Sequence, residues 1–121
     1  MSSSPVFDTT SPSSHEVADA IRSLNQQEPE RYLVRWKGET MEYDSTSYEV
    51  TKIGFEAGGR PTLEIRGGRG GNYVIDSNPM DRPLVRYVPP QGSSREERLC
   101  EITIYDTRFK WRNQILDRLG F

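Results

Sequence analysis

Along this chain of 121 residues the spacing of apolar positions changes twice. Val17, Ala18, Ala20, Ile21 and Leu24 recur at steps of three and four, and Ser13 and Glu16 ahead of them have capping-box spacing. The polar run Asn25-Gln26-Gln27 follows, so the pattern predicts an amphipathic helix over about residues 14–26. From Arg31 the period becomes two. Tyr32, Val34 and Trp36 alternate with Leu33 and Arg35, Lys37-Gly38-Glu39 offers a turn, and Met41 and Tyr43 form a return strand. Tyr48 and Val50 share one parity and Ile53 and Phe55 the other, which requires a β-bulge near Lys52 if all four face one core. Ala57-Gly58-Gly59-Arg60-Pro61 turns the chain into a strand carrying Leu63 and Ile65. Tyr73-Val74-Ile75 and Leu84 to Val88 are further short strands, stopped by Asp76-Ser77-Asn78-Pro79 and by Pro89-Pro90. In the run from Leu99 to Tyr105, alternation places Cys100, Ile102 and Ile104 inward. Asp106 or Thr107 then caps a last helix in which Trp111, Ile115 and Leu119 share a face, joined by Leu116 and closed by Gly120.

These elements predict a mostly β (β+α) fold: a strongly bent antiparallel sheet forming a small barrel or β-sandwich, with an N-terminal amphipathic helix and a C-terminal helix. The order of a helix followed by strands resembles the Sm-like and SH3-like small barrels in outline. Residues 1–13 are expected to be a flexible Ser/Pro-rich arm, with Val6 and Phe7 as its apolar anchors, and residues 14–121 a single β-rich domain.

The formal net charge of −2 excludes nucleic-acid binding through overall positive charge, so any such role needs a local basic patch. Placement supplies one candidate. Arg60, Arg66, Arg69, Arg82 and Arg86 lie close in sequence, whereas the first half of the chain is acidic. The single cysteine, Cys100, excludes an internal disulfide framework and a cysteine-rich zinc site. No apolar run is long enough to span a bilayer and no secretion signal stands at the N-terminus, so a cytoplasmic or other intracellular location is expected.

The segment Arg66-Gly67-Gly68-Arg69-Gly70-Gly71-Asn72-Tyr73 has the most unusual chemistry: two cations on a glycine-rich backbone ending at an aromatic. It resembles the Arg-Gly-Gly boxes of RNA-binding proteins over these eight residues, here as two units between strands. That resemblance implies Arg66 and Arg69 on phosphates, glycine amides against the nucleic-acid backbone and Tyr73 stacked on a base. The same glycines also suit a plain hairpin end. The segment lacks the lysine and hydroxyl of a P-loop and does not open onto a helix.

Other candidates are plainer. His15 falls on the first turn of a surface helix and reads as solvated. Cys100 reads as a buried structural thiol, and Asp76 to Asp81 as a turn closed by side-chain hydrogen bonds, because Met80 and Asp81 break a calcium-loop pattern. No triad, acid/base pair or metal set can be assembled from the spacing. A non-enzymatic binding module is therefore expected, without cofactor or metal, contacting single-stranded RNA or DNA or another anionic partner through Arg60, Arg66, Arg69, Tyr73, Arg82 and Arg86. The alternative is a structural or assembly subunit that makes protein–protein contacts, or a homo-oligomer, through its N-terminal arm and C-terminal segment. The chain's many aromatics fit either reading, since some of them would line a contact surface.

Overall fold

The computed structural model describes residues 5–40, 48–67, 70–78 and 80–107. Helix α1, Ser14–Arg22, begins where the capping box places it. The Glu16 N–H donates to Ser13 Oγ and the Ser13 N–H to Glu16 Oε1, both at 3.1 Å, which satisfies two amides at the helix start. It ends at Arg22, short of the expected residue 26, because side chains beyond it compete for the backbone. Ser23 Oγ donates to the Ala20 carbonyl (2.6 Å), and Asn25 Oδ1 accepts from the Gln27 N–H (3.0 Å). Val17, Ile21 and, past the helix, Leu24 still enter the core.

A 3-10 turn over Pro29–Arg31 leads into β2, Tyr32–Gly38. The turn expected at Lys37-Gly38-Glu39 does not form at its first two residues. Lys37 and Gly38 stay in β2, opposite Glu101 and Leu99, and the partner of β2 across the hairpin is β3, Tyr48–Glu56. The return strand expected at Met41 and Tyr43 lies outside the described residues. A 3-10 turn at Ala57–Gly59 connects β3 to β4, Arg60–Arg66. Strands β5, Asn72–Asp76, β6, Leu84–Val88, and β7, Arg95–Asp106, follow.

The described strands form one seven-stranded antiparallel sheet in the order β1-β7-β2-β3-β4-β5-β6, where β1 is Phe7–Thr10. β7 is 12 residues long, enough to pair β6 through Arg95 to Arg98 and β2 from Leu99 to Asp106. The ladder that leaves β7 through β2, β3, β4, β5 and β6 therefore comes back to β7. Inward side chains of these strands, among them Val34, Leu63, Ile65, Ile75, Val85 and Ile104, are completely buried and make one core with α1. Each such side chain contributes about 1.5–3 kcal/mol on removal from water.

Two irregularities shape the core. The bulge expected near Lys52 lies between Val50 and Lys52 and brings both Val50 and Ile53 inside. Phe55, expected with them, stands opposite Pro61 near the end of the strand and is 45% exposed. The second bulge is where the β2–β7 register jumps from Lys37↔Glu101 to Gly38↔Leu99. It reverses the parity of β7, so Leu99 and Ile102 are buried and Cys100, expected inward, is half-buried instead.

Residues 7–10, expected as part of a flexible arm, instead form β1 on the edge of β7, from Phe7↔Ile104 to Thr10↔Glu101. The Val6 N–H donates to the Ile104 carbonyl at 2.8 Å, and Phe7 packs against the core. Ladder hydrogen bonds and one half-buried aromatic offset the entropy that the polar composition alone could not. The C-terminal helix expected around Trp111, Ile115 and Leu119 lies outside the described residues.

Candidate functional site

The β4–β5 ladder runs out to Arg66↔Asn72, and the Gly67 N–H donates to the Gly71 carbonyl at 2.9 Å, which closes the base of the glycine loop. Gly68 and Arg69 at its tip lie outside the described residues. Beneath the base is a row of rings. Tyr73 stands between Trp36, 4.9 Å away between centroids, and Tyr87, 5.0 Å away, in tilted arrangements that suit aromatic pairs.

These rings explain two of the glycines. A Cβ at Gly71 would stand 2.6 Å from Cε2 and Oη of Tyr87. One at Gly67 would stand 2.9 Å from the Gly71 carbonyl and 3.0 Å from the Tyr73 ring. The backbone approaches the aromatics so closely that no side chain fits between them. Gly71→Ala is therefore expected to lower stability by about 1–3 kcal/mol through overpacking, read as a lower urea midpoint with an unchanged slope.

Arg95 completes this end of the sheet. It is the cross-strand partner of Tyr87, with its guanidinium carbon 5.9 Å from the ring centroid, and it is exposed. Sequence proximity gave no hint of it. The usable signal was the β6–β7 hairpin, whose register carries Arg95 across to Tyr87 and hence to the row containing Tyr73.

The arginines grouped by sequence do not converge. Arg66 is exposed beside the loop, but β4 holds Arg60 at its other end, 7 residues that span about 20 Å at roughly 3.3 Å each. Arg60 and Arg86 both turn to Asp76, whose side chain is only 3% exposed. Arg60 Nε lies 2.9 Å from Asp76 Oδ1, close enough for an ion pair yet without hydrogen-bond alignment. Arg86 Nη2 lies 3.5 Å from Oδ2, and Arg86 Nε 3.4 Å from Glu96. Two guanidiniums against Asp76 and Glu96 make a neutral set, so Arg60 and Arg86 are engaged within the fold. Arg82 is exposed in the turn between β5 and β6, where its carbonyl accepts from Asn78 Nδ2. Tyr73 is half-buried, its ring packed between Trp36 and Tyr87.

The remaining candidates are structural. Asp76 Oδ1 accepts from the Asn78 N–H at 2.9 Å, closing the turn after β5, and Ser14 Oγ bonds to the Asn78 carbonyl at 2.8 Å, which ties that turn to α1. His15 is exposed, 3.3 Å from Asp19 one helical turn on. At the exit of β7, Arg31 grips the buried carboxylate of Asp106 through Nε and Nη2, and these hydrogen bonds hold the guanidinium well above its ordinary basicity. Among the described residues no three His, Cys, Asp or Glu side chains are grouped to hold a metal ion, and no helix is long and apolar enough to cross a membrane. No protein family, curated protein or solved structure was found to match this chain.

Proposed function

We propose that this protein is a non-catalytic binding module whose glycine-loop end contacts an anionic partner, with single-stranded nucleic acid as the class that fits best. The observation that carries this reading is the fixed base of the loop. Gly67 and Gly71 are bonded to each other and pressed against Tyr73 and Tyr87, so the two ends of the loop that carries Arg69 in its sequence rest on a rigid support. Arg66 on one side and Arg95 on the other flank that support, and Arg69 stands at the tip by sequence. Arg60, Arg82 and Arg86 fall away from the site, and Tyr73 serves it as a prop beneath the loop rather than as a stacking platform. We also read the return of the ladder from β6 to β7 as favouring a small barrel over a β-sandwich, with the loop at one mouth.

Salt dependence tests the proposal. Three cation–phosphate contacts on a single strand give a slope of about −2 in log affinity against log salt, or roughly a 20-fold loss between about 50 and 200 mM. Affinity for an oligonucleotide that does not change over this range excludes phosphate contact as its source.

A second reading, as an assembly subunit, is favoured by one observation: β1 is the last strand of the sheet, and its outer edge is unpaired among the described residues. On that reading light scattering shows growth of the particle with concentration, and a monodisperse monomer throughout removes it.

A further inference from the structure

We infer that β1 pairs, edge to edge and antiparallel, with β1 of a second copy of this chain across a two-fold axis. The contact rests on the assembly reading and gives it a partner and a register. Hydrogen bonding in an antiparallel ladder alternates along each strand, which decides the backbone groups that face the open edge. The Ser11 N–H donates to the Cys100 carbonyl at 2.7 Å, and the register continues through Thr10↔Glu101, Thr9↔Ile102, Asp8↔Thr103 and Phe7↔Ile104. Ser11, Thr9 and Phe7 therefore turn their N–H and carbonyl groups to β7, and Asp8 and Thr10 turn theirs away. Val6 does not lengthen the open edge, because its N–H is donated to the Ile104 carbonyl. At the other end stands Pro12, which has no N–H.

Those limits leave one register. A strand meeting its own copy can set Asp8 against Asp8, Thr10 against Thr10, or Asp8 against Thr10. The first brings like charges face to face and puts Thr10 opposite Val6, whose N–H is already used. The second puts Asp8 opposite Pro12. With Asp8 against Thr10 of the copy, each residue both donates and accepts, and the two-fold repeats the pair. Side chains agree with this. Asp8 and Thr10 are exposed on the outer face, so each carboxylate meets a hydroxyl of the copy that can donate to it. Thr103 Oγ1 already holds Asp8 Oδ1 at 2.9 Å, which leaves Oδ2 for the contact. Thr9 falls opposite its own counterpart as a β-branched pair in the closer, non-hydrogen-bonded position. Phe7–Thr10 contains neither Lys nor Pro, the residues that commonly blunt an edge. An edge of 4 residues buries far less than about 1,000 Å², so the dimer is weak and reversible.

Sedimentation equilibrium of the full chain, from dilute to about millimolar protein, tests the contact. The mass is expected to rise with concentration toward twice that of one chain and to stop there, because a two-fold closes. Thr10→Pro removes the N–H offered to the copy and leaves the bonds of β1 to β7, so it should stay folded by far-UV circular dichroism and monomeric throughout. Thr10→Asp sets a carboxylate against Asp8 of the copy twice over and is expected to weaken association about tenfold or more, whereas Thr10→Lys keeps or tightens it. Should Thr10→Pro fail to fold, the opposite effects of aspartate and lysine decide. A mass that rises in Thr10→Asp as it does in wild type overturns the inference and leaves the assembly reading standing, as does growth beyond the dimer. A wild-type chain that stays monomeric over the whole range removes both.

Discussion

Replacing Asp76 with alanine is expected to lower the stability of the fold by roughly 2–4 kcal/mol. The residue is buried where β5 ends, and it faces Arg60 at 2.9 Å and Arg86 at 3.5 Å while its Oδ1 also accepts the Asn78 N–H. Removing one partner of a buried ion pair costs about 3–5 kcal/mol, because the other partner is left uncompensated. Arg60 and Arg86 retain 33% and 31% exposure, so water recovers part of that loss and the lower figure follows. The cost belongs to the stranded guanidiniums more than to the lost contact. Adding Arg60→Met and Arg86→Met to Asp76→Ala is therefore expected to restore much of the stability. Urea denaturation of the two variants checks this, and an Asp76→Ala protein within about 0.5 kcal/mol of wild type contradicts it.

The double substitution Arg66→Ala with Arg69→Ala is expected to weaken oligonucleotide binding about tenfold or more and to reduce the salt slope by roughly 1.4, two contacts at about 0.7 each. The double variant should remain folded, since the loop base is held by glycine backbone and aromatic rings. Arg60→Ala is the informative contrast. It faces Asp76 at the opposite end of β4, so it should reduce stability and leave the salt slope as it was. A loss of binding equal to that of the double variant would relocate the site to the Asp76 cluster. Titration by fluorescence anisotropy at several salt concentrations gives both quantities.

Much of the fold was legible because local pattern and tertiary demand agree. The Ser13–Glu16 box started α1 where expected, and the change of apolar period marked the strands. The parity conflict between Val50 and Ile53 announced a bulge that the structure contains. Failures came where a distant partner decides the outcome. Cys100 looked inward by alternation until the register jump against Gly38 reversed β7, and nothing near Cys100 encodes that jump. The Ser/Pro-rich composition of residues 1–13 pointed to a flexible arm, but β7 offers residues 7–10 a ladder that composition cannot reveal. α1 stopped early because Ser23 and Asn25 bond to nearby backbone, whereas Leu24 kept the apolar stripe running past them.

The placement of the candidate residues was only partly legible for the same reason. Arg60, Arg66 and Arg86 are close in sequence, but a strand separates residues along its axis, so Arg60 and Arg66 sit at opposite ends of β4. Antiparallel pairing then brings Arg86 and Arg60 to Asp76, an acid counted in the sequence only as part of a turn. The same pairing carries Arg95, far along the chain, to Tyr87 and the loop base. Tyr73 was read with the loop as a stacking surface, whereas its ring packs between two other aromatics at the loop base.

Backbone amide shifts recorded while a short single-stranded oligonucleotide is added to the 15N-labelled protein test the central claim most directly. The account predicts perturbations concentrated at Arg66 to Asn72 and around Arg95, with the amides near Asp76 and Arg86 undisturbed. Perturbations centred on Asp76, Arg86 and Glu96, or a spectrum that stays the same at saturating oligonucleotide, would contradict it.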